Sequence, residues 1–78
     1  MNYFANNLKY LTKNTQINQN QLAKKLGISR QSITAMINAK DPKASTLMKI
    51  SEIYNISIDD LLKKDLSEED WLIVFSNV

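Results

Sequence analysis

Seventy-eight residues suffice for one domain, and a chain of that length buries only about 60% of its unfolded surface, so each apolar side chain has to be placed efficiently. The sequence holds no cysteine and no histidine. That excludes disulfides, the usual zinc ligands, a thiolate nucleophile and the commonest general acid/base near neutrality, so neither an enzyme nor a metal or cofactor protein is expected.

The formal charge of +2 hides a division. Residues 1–40 carry six cations and no acid, whereas residues 41–78 carry four lysines and all eight acids, so the first half suits a polyanion. No signal-peptide h-region is present, and the longest apolar run, residues 71–75, falls far short of the ~20 residues that span a bilayer. A cytoplasmic protein without a membrane partner is expected. Glycine and proline occur once each, and with leucine and isoleucine recurring three and four apart this predicts helices joined by short turns.

The first helix is predicted over about residues 2–13, with Phe4, Leu8 and Leu11 on one face and Asn14 at its end. Four later starts carry one signature, in which an apolar residue before the N-cap packs on the fourth helical residue while the cap oxygen accepts an orphaned backbone N–H. These are Ile17-Asn18-Leu22, with Gln21 placed to complete a capping box; Ile28-Ser29-Ile33; Ile56-Ser57-Leu61, with Asp60 in the first turn; and Leu66-Ser67-Trp71, with Glu68, Glu69 and Asp70 favourable to the helix dipole. Between the second and third of these, Leu47, Ile50, Ile53 and Tyr54 form the stripe of a further helix. It closes at Asn55, and Asp41 before Pro42 and Ser45 both qualify as its cap. Leu8, Leu22, Leu26, Ile33, Met36, Leu47, Ile50, Ile53, Ile58 and Leu61 are the predicted core.

Leu26 closes the second helix, Gly27 permits a positive-φ turn, Ile28 is expected to plug the core and Ser29 opens the next helix, which makes a helix-turn-helix. The small Ala23, one turn before Gly27, lets the two helices cross closely. The segments from Asn18 through Ile33, then Asn38-Ala39-Lys40, then Ile56-Ser57-Ile58-Asp59-Asp60-Leu61-Leu62, resemble the phage-repressor and Cro family over about Phe4 to Leu62. That resemblance implies an all-α fold, the five-helix lambda-repressor-like domain, and a regulator that binds operator DNA, commonly as a dimer. One departure is Ala39, where the family usually has glycine.

The third helix, residues 29–38, turns Ile33, Met36 and Ile37 inward and exposes Ser29, Arg30, Gln31, Thr34 and Ala35. Arginine can fork onto guanine and glutamine onto adenine, and the Ala and Thr methyls can meet thymine, so these five are the candidate base contacts, led by Arg30 and Gln31. Gln19, Asn38, Lys40 and Lys43 are candidate phosphate contacts; Ser32 is either a phosphate contact or a cap. Lys9, Lys13, Lys24 and Lys25 read as a solvated face.

The expected organisation is a helix-turn-helix domain over residues 1–64 and a tail over residues 65–78, acidic first and then apolar. The tail reads equally as a short helix or a strand. Leu66, Trp71, Val74 and Phe75 are its candidate dimerisation residues, with packing onto the tail's own domain as the alternative. The expected function is a sequence-specific regulator, a repressor, that reads a pseudo-palindromic operator of double-stranded DNA as a homodimer. The alternative is an interaction module, an antitoxin or antirepressor partner, that binds another protein through the tail.

Overall fold

The computed structural model describes residues 3–38 and 42–68. Within them the chain forms α1 (Phe4–Asn14), α2 (Gln19–Leu26), α3 (Arg30–Asn38), α4 (Ala44–Tyr54), α5 (Ile58–Lys63) and a closing 3-10 turn (Leu66–Glu68). No strand occurs among the described residues, so the all-α expectation holds. Helix α1 is the hub: it packs against α2, α3, α5 and the 3-10 turn, while α2 lies on α3 and α4 on α5. Phe4, Leu8 and Leu11 of α1 meet Leu22, Ala23, Ile33, Ile37, Leu47, Ile50, Tyr54, Ile56, Leu61 and Leu66 in one buried cluster. Leu26, Met36, Ile53 and Ile58 lie at its edge, half-buried.

Most helix ends follow from local chemistry. Asn18 accepts a bond from the Gln21 N–H at 3.0 Å and the Gln21 side chain accepts from the Asn18 N–H at 3.3 Å, the predicted capping box. The Ser57 hydroxyl oxygen likewise accepts from the Asp60 N–H at 3.1 Å. Helices α2 and α4 both stop at a left-handed residue, Gly27 at φ 71° and Asn55 at φ 55°. In each, the next two N–H groups fold back: Gly27 to the Lys24 carbonyl and Ile28 to the Ala23 carbonyl, then Asn55 to Glu52 and Ile56 to Ser51. That pairing satisfies the last carbonyls and lets the chain reverse within two residues.

Three expectations are corrected here. Ile28 does not plug the core; it is 37% exposed, because the turn is closed by those two backbone bonds and needs no inserted side chain. Its counterpart after α4, Ile56, is the one that is buried. Helix α4 begins at Ala44 with Lys43 in the cap position and no side-chain cap, so Ser45 falls inside the first turn. Asp41 lies outside the described residues, as do Asn2, Ala39, Lys40, and the tail from Glu69 onward.

The third correction concerns the tail. Leu66 is fully buried and its turn packs against α1, the alternative in which this part of the tail lies on its own domain, so the packed body reaches past Lys64. Asp65 holds the last described turn, accepting from the Ser67 N–H at 3.1 Å, the Ser67 hydroxyl at 2.5 Å and the Asn6 amide at 3.0 Å, while the helix expected to start at Ser67 runs outside the described residues. The clamp that holds this segment is Asn7. Its amide nitrogen donates to the Leu61 and Lys64 carbonyls, both at 2.7 Å, and its oxygen accepts from the Leu66 N–H at 2.9 Å.

Candidate nucleic-acid interface

Helix α3 is two-faced. Ile33 and Ile37 are buried and Met36 half-buried, which leaves Arg30, Gln31, Ser32, Thr34, Ala35 and Asn38 exposed along the other side. Ser29 stands at the start: its oxygen accepts from the Ser32 N–H at 3.2 Å, and the two hydroxyls share a bond at 3.0 Å. The cap is thereby satisfied from both directions, and Ser32 serves as its partner. Thr34 donates to the Arg30 carbonyl at 3.4 Å, turning its hydroxyl back along the helix. All five candidate base-contact residues therefore lie at the surface of one short segment.

Its orientation is set by α2, whose Ala23 is 4% exposed beneath the turn, so that the backbones can approach where a larger side chain would hold them apart. The start of α2 is itself pinned from a distant helix. Tyr54 of α4 is buried and donates its hydroxyl to the Ile17 carbonyl at 2.7 Å, immediately before the Asn18 cap. Burial pushes the Tyr54 phenol well above its ordinary 10.0, with a weaker opposing effect from a bond to Thr15. A phenol whose pKa is raised on folding adds stability that is complete below about pH 10 and is lost as pH climbs beyond it. Tyr54→Phe is expected to cost about 1 kcal/mol at neutral pH. Urea midpoints at pH 8 and pH 11 should fall further in the wild type than in Tyr54→Phe; equal falls would contradict a buried phenol.

Between α1, α2 and α3 lies a cleft of about 400 Å³ lined by Lys9, Thr12, Lys13, Asn18, Gln19, Asn20 and Arg30. Three of these residues are cationic and none is acidic, so the cleft is an electropositive notch at the N-terminal end of both α2 and α3. Gln19 lines it and is half-buried. Asn38 is exposed as the last residue of α3 and Lys43 is exposed after it, just before α4; Lys40 lies outside the described residues. Lys9 and Lys13 were read from the sequence as ordinary solvated lysines, and the fold brings both beside Arg30. Their four-residue spacing on one helical face was the available signal. Lys24 and Lys25 instead line a shallower groove with Gln16, Ile17 and Gln21.

No group of three His, Cys, Asp or Glu able to hold a metal occurs among the described residues, and no described helix is long and apolar enough to cross a membrane. A capped short helix, a left-handed glycine turn and a second helix with an exposed polar face define a helix-turn-helix protein. The chain belongs to that family, whose model, described as Helix-turn-helix, matches residues 8–61.

It is similar to the uncharacterized HTH-type transcriptional regulator YqaE of Bacillus subtilis (strain 168), 39% identical over 67 residues. That match covers 85% of this chain but 58% of the relative, so the chain spans little more than half of that protein. It is also similar to the uncharacterized HTH-type transcriptional regulator MJ0272 of Methanocaldococcus jannaschii, 40% identical over 57 residues, or 72% of this chain and 86% of the relative. Both relatives are named as regulators and neither as an enzyme. No solved structure matches the chain.

Proposed function

We propose that this protein is a sequence-specific DNA-binding regulator of transcription, acting in the cytoplasm as a repressor, with α3 in the major groove. The observation that carries the reading is the exposed polar face of α3 standing directly beside an acid-free cationic cleft. A duplex offers both complements at once, base edges in the groove and phosphates at its rim. In this reading Ser29, Arg30, Gln31, Thr34 and Ala35 face the groove. Gln31 is the residue suited to adenine, and Thr34, its hydroxyl engaged by its own helix, turns a methyl group to thymine.

Gln19, Asn38, Lys40 and Lys43, with Ser32, hold the backbone and fix register. The protein acts as a homodimer whose recognition helices lie about 34 Å apart on a pseudo-palindrome. Trp71, Val74 and Phe75 remain the dimerisation residues of this proposal, without Leu66, whose side chain is already enclosed.

Selection of duplexes from a random pool, followed by binding to single-base variants of the selected site, tests the reading. Gln31→Ala is expected to cost about 1–3 kcal/mol against the native site and to abolish the preference at one base pair per half-site while leaving the others. A pool that yields no enriched sequence, or a Gln31→Ala protein with the wild-type preference at every position, overturns readout by this helix.

A further inference from the structure

We propose that Tyr54 is a positioning residue for DNA binding, a strut from α4 that holds the start of α2 where the candidate phosphate contacts of both elements meet one duplex. This rests on the DNA-binding reading and adds to it a side chain that is itself enclosed in the core.

The candidate phosphate contacts fall into two sets. Gln19 opens α2, whereas Asn38 ends α3 and Lys43 stands in the cap position of α4. A duplex presents its two backbones at a fixed spacing across the groove, so the two sets serve together only while α4 and the start of α2 keep one separation. The Gly27 turn fixes the other end of α2, and leaves its start to be held by something else.

Helix α4 is a rod of 11 residues with Lys43 before its first turn and Tyr54 at its end. There the phenol donates to the Ile17 carbonyl at 2.7 Å, two residues ahead of Gln19. The Thr15 hydroxyl lies 3.5 Å from the same carbonyl, so Tyr54 is its nearer partner; Thr15 accepts from the Ile17 N–H at 3.2 Å and ties the turn to α1 through the Leu11 carbonyl at 2.6 Å. The principal packings put α2 on α1 and α3, and α4 on α5, so the phenol bridges two helices that are not principal packing partners.

Ile17 is half-buried, so a carbonyl released by Tyr54 can turn to water and the start of α2 can shift without unfolding the domain. One such bond favours the position it holds by about three- to tenfold, and a site competent for only part of the time binds more weakly by that fraction.

The test is equilibrium binding to a selected duplex and its single-base variants, between about 50 and 200 mM salt, for the wild type, Tyr54→Phe and Ser57→Ala. Tyr54→Phe keeps the ring in the core, and a melt in the same buffer confirms that it is folded. Its Kd is expected to rise about three- to tenfold on every duplex, with the ranking of bases and the slope of log K against log salt unchanged, because no cation and no base contact is lost. Ser57→Ala removes the cap of α5, lowers stability to a similar degree and should bind as the wild type does. In the free protein the N–H groups of Gln21 and Leu22, which bond to Asn18, should exchange faster in Tyr54→Phe, while those of α5 keep their wild-type rates.

A Kd for Tyr54→Phe within about twofold of wild type overturns the proposal, as does an equal loss in Ser57→Ala, which would mark plain destabilisation. So would a preference altered at one base pair, or wild-type exchange at Gln21 and Leu22. A wild type that enriches no duplex is seen before any variant is compared, and it removes the DNA-binding reading rather than the strut.

Discussion

Asn7→Leu is expected to remove about 3 kcal/mol or more of folding stability, since it deletes the three bonds to the Leu61 and Lys64 carbonyls and the Leu66 N–H, and a buried group that loses its bond costs about 1–3 kcal/mol. A domain of this size has only about 5 kcal/mol in hand. The urea midpoint should therefore fall by at least half. Asn7 is fully enclosed, so water cannot replace the lost bonds to Leu61, Lys64 and Leu66 without opening the contact between α1 and the last turn.

Asn7→Asp separates bonding from shape. It keeps the acceptor for the Leu66 N–H but sets a carboxylate against two carbonyl oxygens, so burial and repulsion raise its pKa in the fold. A group so raised favours folding at low pH and loses that contribution as pH rises. Relative to Asn7→Leu at the same pH, the aspartate variant should thus recover stability on acidification, where its proton restores one donor. A midpoint within error of wild type in Asn7→Leu would show that the three bonds do not hold the fold.

Leu66→Ala comes second, at about 2–5 kcal/mol, the cost of a cavity at a fully buried leucine. It also separates the two readings of this residue. A side chain in the core lowers the unfolding midpoint at every protein concentration. One in a subunit interface would instead shift the monomer–dimer equilibrium and leave the midpoint of the monomer untouched; that result would contradict the packing described above. Any truncation meant to test dimerisation by Trp71, Val74 and Phe75 has to begin after Glu68. Removing Leu66 as well would weaken DNA binding simply by unfolding the domain.

How much of this was legible depended on the reach of each interaction. The stripe Phe4, Leu8, Leu11 was read, and Asn7 sits within it at three residues from Phe4 and four from Leu11. A polar residue on a buried face must find partners, so its importance was detectable, but the partners lie 54 to 59 residues away and no local pattern names them. Tyr54 is similar: its place in the apolar stripe of α4 was plain, while its bond to Ile17 spans 37 residues. Leu66 carried the same signature as the genuine staple residues Ile17 and Ile56, and only its contact with α1 decided that it belongs to the core.

The sequence by itself determined the features that close within about four residues: the capping box of Asn18 and Gln21, the Ser57 cap, the left-handed ends at Gly27 and Asn55, and the polar face of α3. Each is governed by backbone geometry and one neighbouring side chain, so it survives whatever the rest of the chain does. The tertiary structure alone decided which cations line one cleft, that Ile28 stays at the surface, and that Leu66 packs against α1. Those depend on the packing of helices distant in sequence, and α1, which touches nearly every other element, is where that packing is arranged.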